Sequence, residues 1–178
     1  GIFVQKDARS NISDTQSATF EFPEFNVNWQ HRTWGNAPDP EYPWAAFIHG
    51  EKGTVKASVL KYEFFPLNKK EPAVSGTPLF EYEKYPEDKD EKDLEKHVAS
   101  AIRWHMLDFL KARENRGKPM ADIEQGHIST ASCILANHSM KLGRTLTWDA
   151  VKHQVVNDAA ANALLKRAYR GPWVHPGA

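Results

Sequence analysis

Asn115-Arg116-Gly117-Lys118-Pro119, followed closely by Ala121-Asp122-Ile123-Glu124-Gln125-Gly126-His127, is the stretch on which the fold turns. Glycine accepts the left-handed backbone that closes a helix, and proline cannot continue one, so the first five residues read as a helix stop. Upstream, Leu94, Val98, Ala101, Ile102, His105, Phe109 and Leu110 recur at spacings of three and four, which makes one apolar helix stripe expected to be buried. Downstream, Ile123, His127, Ala131, Ile134, Leu135, His138 and Leu142 repeat that spacing on a second helix, and Gly143 terminates it. Thr145-Leu146-Thr147-Trp148-Asp149 is a short strand. Asn157 or Asp158 caps a third helix over 159–167, with Leu164 and Leu165 facing inward. The aromatic tail from Tyr169 to Pro176 is extended and expected to lie across the body of the domain.

Before this block the period changes from 3.6 to two. Gln16, Ala18, Phe20 and Phe22 alternate with Ser17, Thr19 and Glu21, as in a half-buried strand. Pro23-Glu24 reverses the chain into a second strand, Phe25 to Trp34. Its Phe25, Val27, Trp29 and His31 share one face, while Asn28, Gln30, Arg32 and Trp34 share the other. Residues 35–43 are a proline-rich loop. Trp44 to His49 and Thr54 to Val59 flank Gly50-Glu51-Lys52-Gly53, a hairpin connection. Leu60 to Phe65 is a further strand, 67–78 a polar excursion at the sheet edge, and Leu79 to Tyr82 a last short strand. Residues 83–95 carry dense charge of both signs and read as a solvated linker or a fraying helix start.

Strands followed by helices predict one α+β domain over residues 1–178, an open, mostly antiparallel sheet with helices packed on one face. Large side chains on both faces of the Phe25–Trp34 strand call for a partner, and a homo-oligomer formed through the sheet is expected. The 178 residues have formal net charge zero, with both signs dispersed. No basic face for nucleic acid emerges. No apolar run approaches the ~20 residues of a membrane span. Gly1 to Gln5 lacks the features of a signal peptide and reads as a strand already under way, so a preceding segment is expected. Soluble behaviour follows, with the compartment, cytoplasmic or exported, left open. Cys133 is the only cysteine, which rules out an intrachain disulfide; it reads as a small buried residue beside Ala131, Ile134 and Leu135.

Chemistry is harder to place. The chain has no GxGxxG and no GxxxxGK[ST]; Gly50-x-x-Gly53 lies between strands and presents no helix end to a pyrophosphate, so no cofactor site is assigned. Eight histidines raise the question of a metal. His127 and His138 return to one helix face but lie about 16 Å apart along the axis, and no zinc spacing occurs, so no metal site is assigned. His127 follows Gly126 near a helix start, with Asp122 and Glu124 close enough in sequence to orient its ring, and is the leading substrate-binding candidate. The competing reading is a packed histidine bonded to a backbone carbonyl, which is the commoner case. His105 on the preceding helix is a second candidate. Arg32 and Trp34, with His31, offer donors and an apolar plate suited to a sugar, and equally suit a dimer interface. No GxSxG elbow supports a serine hydrolase.

Four pieces together resemble the C-terminal domain of the Gfo/Idh/MocA oxidoreductase family. They are Asp14 to Phe22 leading to Trp29-Gln30-His31-Arg32; the hairpin Phe47 to Thr54; the helix pair His105 to Leu110 through Gly117-Lys118-Pro119 to Gly126-His127 and Ser139 to Arg144; and the ending Leu146 to Asp149 through Asn162 to Leu165 to Tyr169-Arg170-Gly171-Pro172-Trp173. The likeness is strongest to a subgroup common in environmental bacteria, including planctomycetes.

That resemblance implies a two-domain subunit whose Rossmann domain binds NAD or NADP, while this domain builds the substrate cleft and the oligomer contacts. It implies hydride transfer to or from a sugar, cyclitol or related polyol, and no activity for this half alone. The family's catalytic lysine sits in an EKP motif of the other domain, and its Asp-x-x-x-His pair also falls upstream of residue 1. Glu51-Lys52-Gly53 is not the first motif. Asp93-x-x-x-His97 and Asp149-x-x-x-His153 match the spelling of the second but not its place, so the catalytic residues stay unassigned. Two alternatives stand beside this reading: a non-catalytic binding or assembly module, and a free-standing carbohydrate-binding domain.

Overall fold

The alternation at the start of the chain produces an antiparallel hairpin, β1 (Thr15–Glu21) with β2 (Asn26–Arg32), in which Ala18 lies opposite Trp29 and Phe20 opposite Val27. The Phe22 N–H bonds the Phe25 carbonyl at 3.0 Å across the turn, and the two rings stack with centroids 4.6 Å apart. β2 stops at Arg32, so Trp34 lies beyond the strand. The computed structural model describes residues 1–5, 12–93 and 95–174; Leu94, His175 and Pro176 lie outside them. Contacts group the chain into two units, Gly1–Arg32 with Ile123–Ala178, and Thr33–Asp122.

The second unit is built on a four-stranded antiparallel sheet in chain order: β3 (Ala45–Gly50), β4 (Gly53–Ser58), β5 (Tyr62–Pro66) and β6 (Val74–Gly76). Gly53 has φ of 150°, and a Cβ there would sit 2.2 Å from the Phe65 carbonyl oxygen, so the β3–β4 turn admits only glycine. β6 falls within the stretch expected to be an excursion, whereas Leu79 to Tyr82 forms no strand. A polar and aromatic cluster ties the preceding loop to the sheet. Tyr42 is 3% exposed and its hydroxyl donates to Glu63. Lys61 bonds Glu41 at 2.7 Å and lies 3.4 Å from Glu63. Lys56 bonds Asp39 at 2.8 Å and sits 5.3 Å from the Tyr42 ring centroid.

The charged run 83–95 is more ordered than its composition predicts. It contains α1 (Glu87–Asp90), and Asp88 is buried. Arg103, on α2 (Lys96–Asn115), pairs with Asp88 and Glu81 and lies 3.8 Å above the Tyr85 ring. Ser100 donates to the Leu79 carbonyl. A buried carboxylate needs such a partner, and Arg supplies two donors in one plane. The left-handed residue that closes α2 is Arg116, with φ of 53°, rather than Gly117. The α2 stripe is not buried: Ile102 is 60% exposed, and Phe109 and Leu110 are exposed as well.

In the first unit, α3 (Ile123–Leu142) ends at Gly143, whose φ is 65°, as its glycine predicts. Its stripe is covered unevenly: Leu135, His138 and Leu142 are half-buried, while Ile123 is 89% exposed. Cys133 is exposed, against the expectation of burial. After α3 comes a hairpin, β7 (Trp148–Asp149) with β8 (Gln154–Val155), then α4 (Ala159–Leu164). Asp158, not Asn157, is the N-cap, accepting from the Ala161 N–H at 2.9 Å. Arg144 grips the same carboxylate through Nε at 2.9 Å and a terminal nitrogen at 2.8 Å. In the described part of the tail, Trp173 is 69% exposed. Among the described residues no helix is long and apolar enough to cross a membrane.

The core of this unit is small. Val155 is 2% exposed and Ala161 0%. Between them Asn162 accepts from the Val155 N–H and donates to the Val155 carbonyl, both at 2.7 Å, so one side chain satisfies both backbone groups of a buried residue.

Asn162→Ala therefore strands a buried donor and a buried acceptor together, and the expected loss is about 2–3 kcal/mol. Urea unfolding of this variant beside an exposed control such as K166A measures the difference; equal midpoints contradict the clamp. In the other unit, burial and the neighbouring Glu63 carboxylate push the Tyr42 phenol up to about 12. Its contribution to stability is whole below pH 10, the ordinary value, and is lost as pH rises through about 12. An ultraviolet titration shows that late phenolate step, and Y42F removes it; a titration unchanged by Y42F refutes the assignment.

Candidate functional site

His127 projects from the first turns of α3, and the partner it meets is His153 at the end of the β7–β8 turn. His127 Nε2 and His153 Nδ1 are 3.1 Å apart. The ring centroids lie 4.9 Å apart with planes at 74°. Both residues are exposed. Trp148 stands beside His153, centroids 6.4 Å apart and planes at 63°. The expected carboxylate beside His127 is thus replaced by a second imidazole. Asp122 instead lies 3.7 Å from Lys118.

The β7–β8 turn places His153 by local means. Asp149 Oδ1 accepts from the Val151 and Lys152 N–H groups, each at 3.0 Å, folding the turn around one carboxylate. His153 has φ of 50°, in the left-handed region that few side chains adopt without support. That support continues behind the turn, where Asn162 clamps Val155 against α4. The Lys152 N–H bond, above all, holds the Asp149 carboxyl below its usual range, aided by the Val151 N–H and by the charge of Lys152. Asp149 thus supplies a fixed negative charge next to His153.

The remaining candidates are divided between the two units. Within its own unit, the ring contact of His127 is with His153. Arg32 closes β2 opposite Thr15 in the same unit; Trp34, half-buried, and His105, exposed on α2, belong to the other. His153 had a visible signal, an Asp followed four residues later by His. The hairpin that carries it, with two residues per strand, is too short to register as a pattern. Among the described residues no group of three or more His, Cys, Asp or Glu is placed to hold a metal ion. Gly50 and Gly53 pair with each other across the β3–β4 hairpin.

A family model described as the oxidoreductase family, C-terminal alpha/beta domain, of the Gfo/Idh/MocA group, matches residues 68–175. The chain belongs to this family. The match takes in α1 to α4 and the β7–β8 hairpin, hence both histidines of the site. No curated protein and no solved structure matches the chain. The α+β architecture with antiparallel sheets agrees with the Gfo/Idh/MocA domain description.

Since Asp149 shapes the turn that carries His153, Asp149→Asn, which keeps an acceptor oxygen, is expected to preserve the His127–His153 contact, and Asp149→Ala to lose it. Cross-relaxation between the two rings by NMR is the check. Equal ring contacts in both variants contradict the role given to the carboxylate.

Proposed function

We propose that this Gfo/Idh/MocA domain is the substrate-binding and oligomerisation half of an oxidoreductase that uses NAD or NADP and acts on a sugar, cyclitol or related polyol. The observation that carries the reading is the exposed pair His127–His153 beside Trp148, within the segment matched by the oxidoreductase family. Ring nitrogens donate to and accept from hydroxyl groups, and an indole offers an apolar surface to the carbon skeleton between them. The nicotinamide carries the hydride chemistry when bound to the partner Rossmann domain; this chain's part is to bind and orient the polyol.

Assembly through the sheet rests on β2, where Val27 and Trp29 are exposed, with the exposed Phe25 just before the strand at the same alternate spacing. Such an aromatic face suits burial against a second copy. The planctomycete-like subgroup and the absence of turnover by this chain alone belong to the same reading.

Turnover of NAD+ and NADP+ by the full-length protein against a panel of hexoses, pentoses and inositols tests it. Reduction of one cofactor with at least one polyol is expected, and none from the 178-residue chain alone. Full-length protein that neither reduces nor binds a nicotinamide cofactor sinks the proposal and favours a binding or assembly module. In an active protein H127A is expected to lower kcat/KM about fivefold, the loss of one net hydrogen bond, with H105A close to unchanged.

A further inference from the structure

We propose that His127 and His153 form a two-imidazole relay that passes a proton between a hydroxyl group of a bound ligand and solvent. The hydroxyl ligand rests on the polyol reading above; the shared proton does not.

The relay follows from the contact itself. At 3.1 Å, two bare ring nitrogens would repel through their lone pairs, and two protonated ones through their hydrogens. One proton between them is the arrangement the distance allows. The described side chains gather no ligand set for a metal ion that would take the proton's place.

The outer nitrogens, His127 Nδ1 and His153 Nε2, make no hydrogen bond with any described residue, and both rings are exposed. A neutral pair carries two ring protons in total, one of them shared. One outer nitrogen is then a donor and the other an acceptor. When the shared proton belongs to His127, Nδ1 of His127 is bare and Nε2 of His153 is protonated. A proton arriving at His127 Nδ1 sends the shared proton across to His153 Nδ1, and the proton on His153 Nε2 leaves to solvent. One proton enters and one leaves, the pair ends neutral, and its two outer ends have exchanged roles. The reverse passage restores the first state.

The groups around the pair fit this exchange. Asp149 places its charge beside His153 and is tied down by the turn, so it competes for no ring N–H. Lys152, whose ammonium is 3.9 Å from the Asp149 carboxylate, offsets part of that charge. On α3, Glu124 lies one turn before His127. A second positive charge on the pair would force two N–H groups against each other, so the contact holds one extra proton at most.

Nitrogen-15 NMR of the imidazoles in the 178-residue chain, with H127Q and H153Q for assignment, reads this directly. A scalar coupling across the shared hydrogen bond, between His127 Nε2 and His153 Nδ1, is expected, with one proton held between the two rings. In H153Q that coupling is expected to vanish, while amide signals outside the β7–β8 turn stay in place. Added myo-inositol is expected to shift the outer nitrogens in the unaltered chain and not in H127Q. Absence of the coupling in the unaltered chain overturns the relay. A shared proton without any inositol response overturns its hydroxyl ligand. Neither outcome decides nicotinamide turnover, which the full-length protein alone reports.

Discussion

The two hydrogen bonds between Asn162 and the backbone of Val155 are what the candidate site stands on. A hairpin with two residues in each strand cannot hold itself together in water. Here its second strand is fastened to α4 by a side chain that satisfies both polar groups of the one large residue fully buried in the chain's described part. α4 is in turn started by Asp158, and Asp158 is held by Arg144 just beyond the end of α3. Helix end, cap, clamp and hairpin thus form one chain of dependence that ends at His153, and His127 on α3 meets it from the other end.

Polar pairing, more than apolar burial, organises both units. Tyr42 with Glu63 and Lys61, and Arg103 with Asp88 and Glu81, hold loops and helix ends in place. Meanwhile Ile102, Phe109, Ile123 and Trp29 remain exposed. Burying one such side chain stabilises by roughly 1.5–3 kcal/mol. Under the proposed reading of this chain as one half of a larger assembly, such surfaces are the ones a partner would cover.

Elements with a long period were legible from the residues. Seven alternating positions predict β1, the glycine at Gly143 predicts the end of α3, and the β3–β4 glycines predict their hairpin. Short elements were not, because β6 and β8 hold too few residues to display a period. The order within 83–95 escaped for another reason: its Asp88 is paired with Arg103, distant in sequence, and no local pattern records that. Asn157 and Asp158 were equal as caps until Arg144 reached one of them. Of the site, His127 was readable from its place at a helix start. His153 was visible as a residue but lost as a partner, because only the turn around Asp149 carries it there.

The clamp is open to one direct measurement, amide hydrogen exchange at Val155 in the intact chain. The Val155 N–H, held by Asn162 inside the small core, is predicted to exchange far more slowly than those of Ala150 to Lys152 in the adjoining turn. Exchange of Val155 at the rate of that turn would contradict the clamp, and with it the placement of His153 against His127.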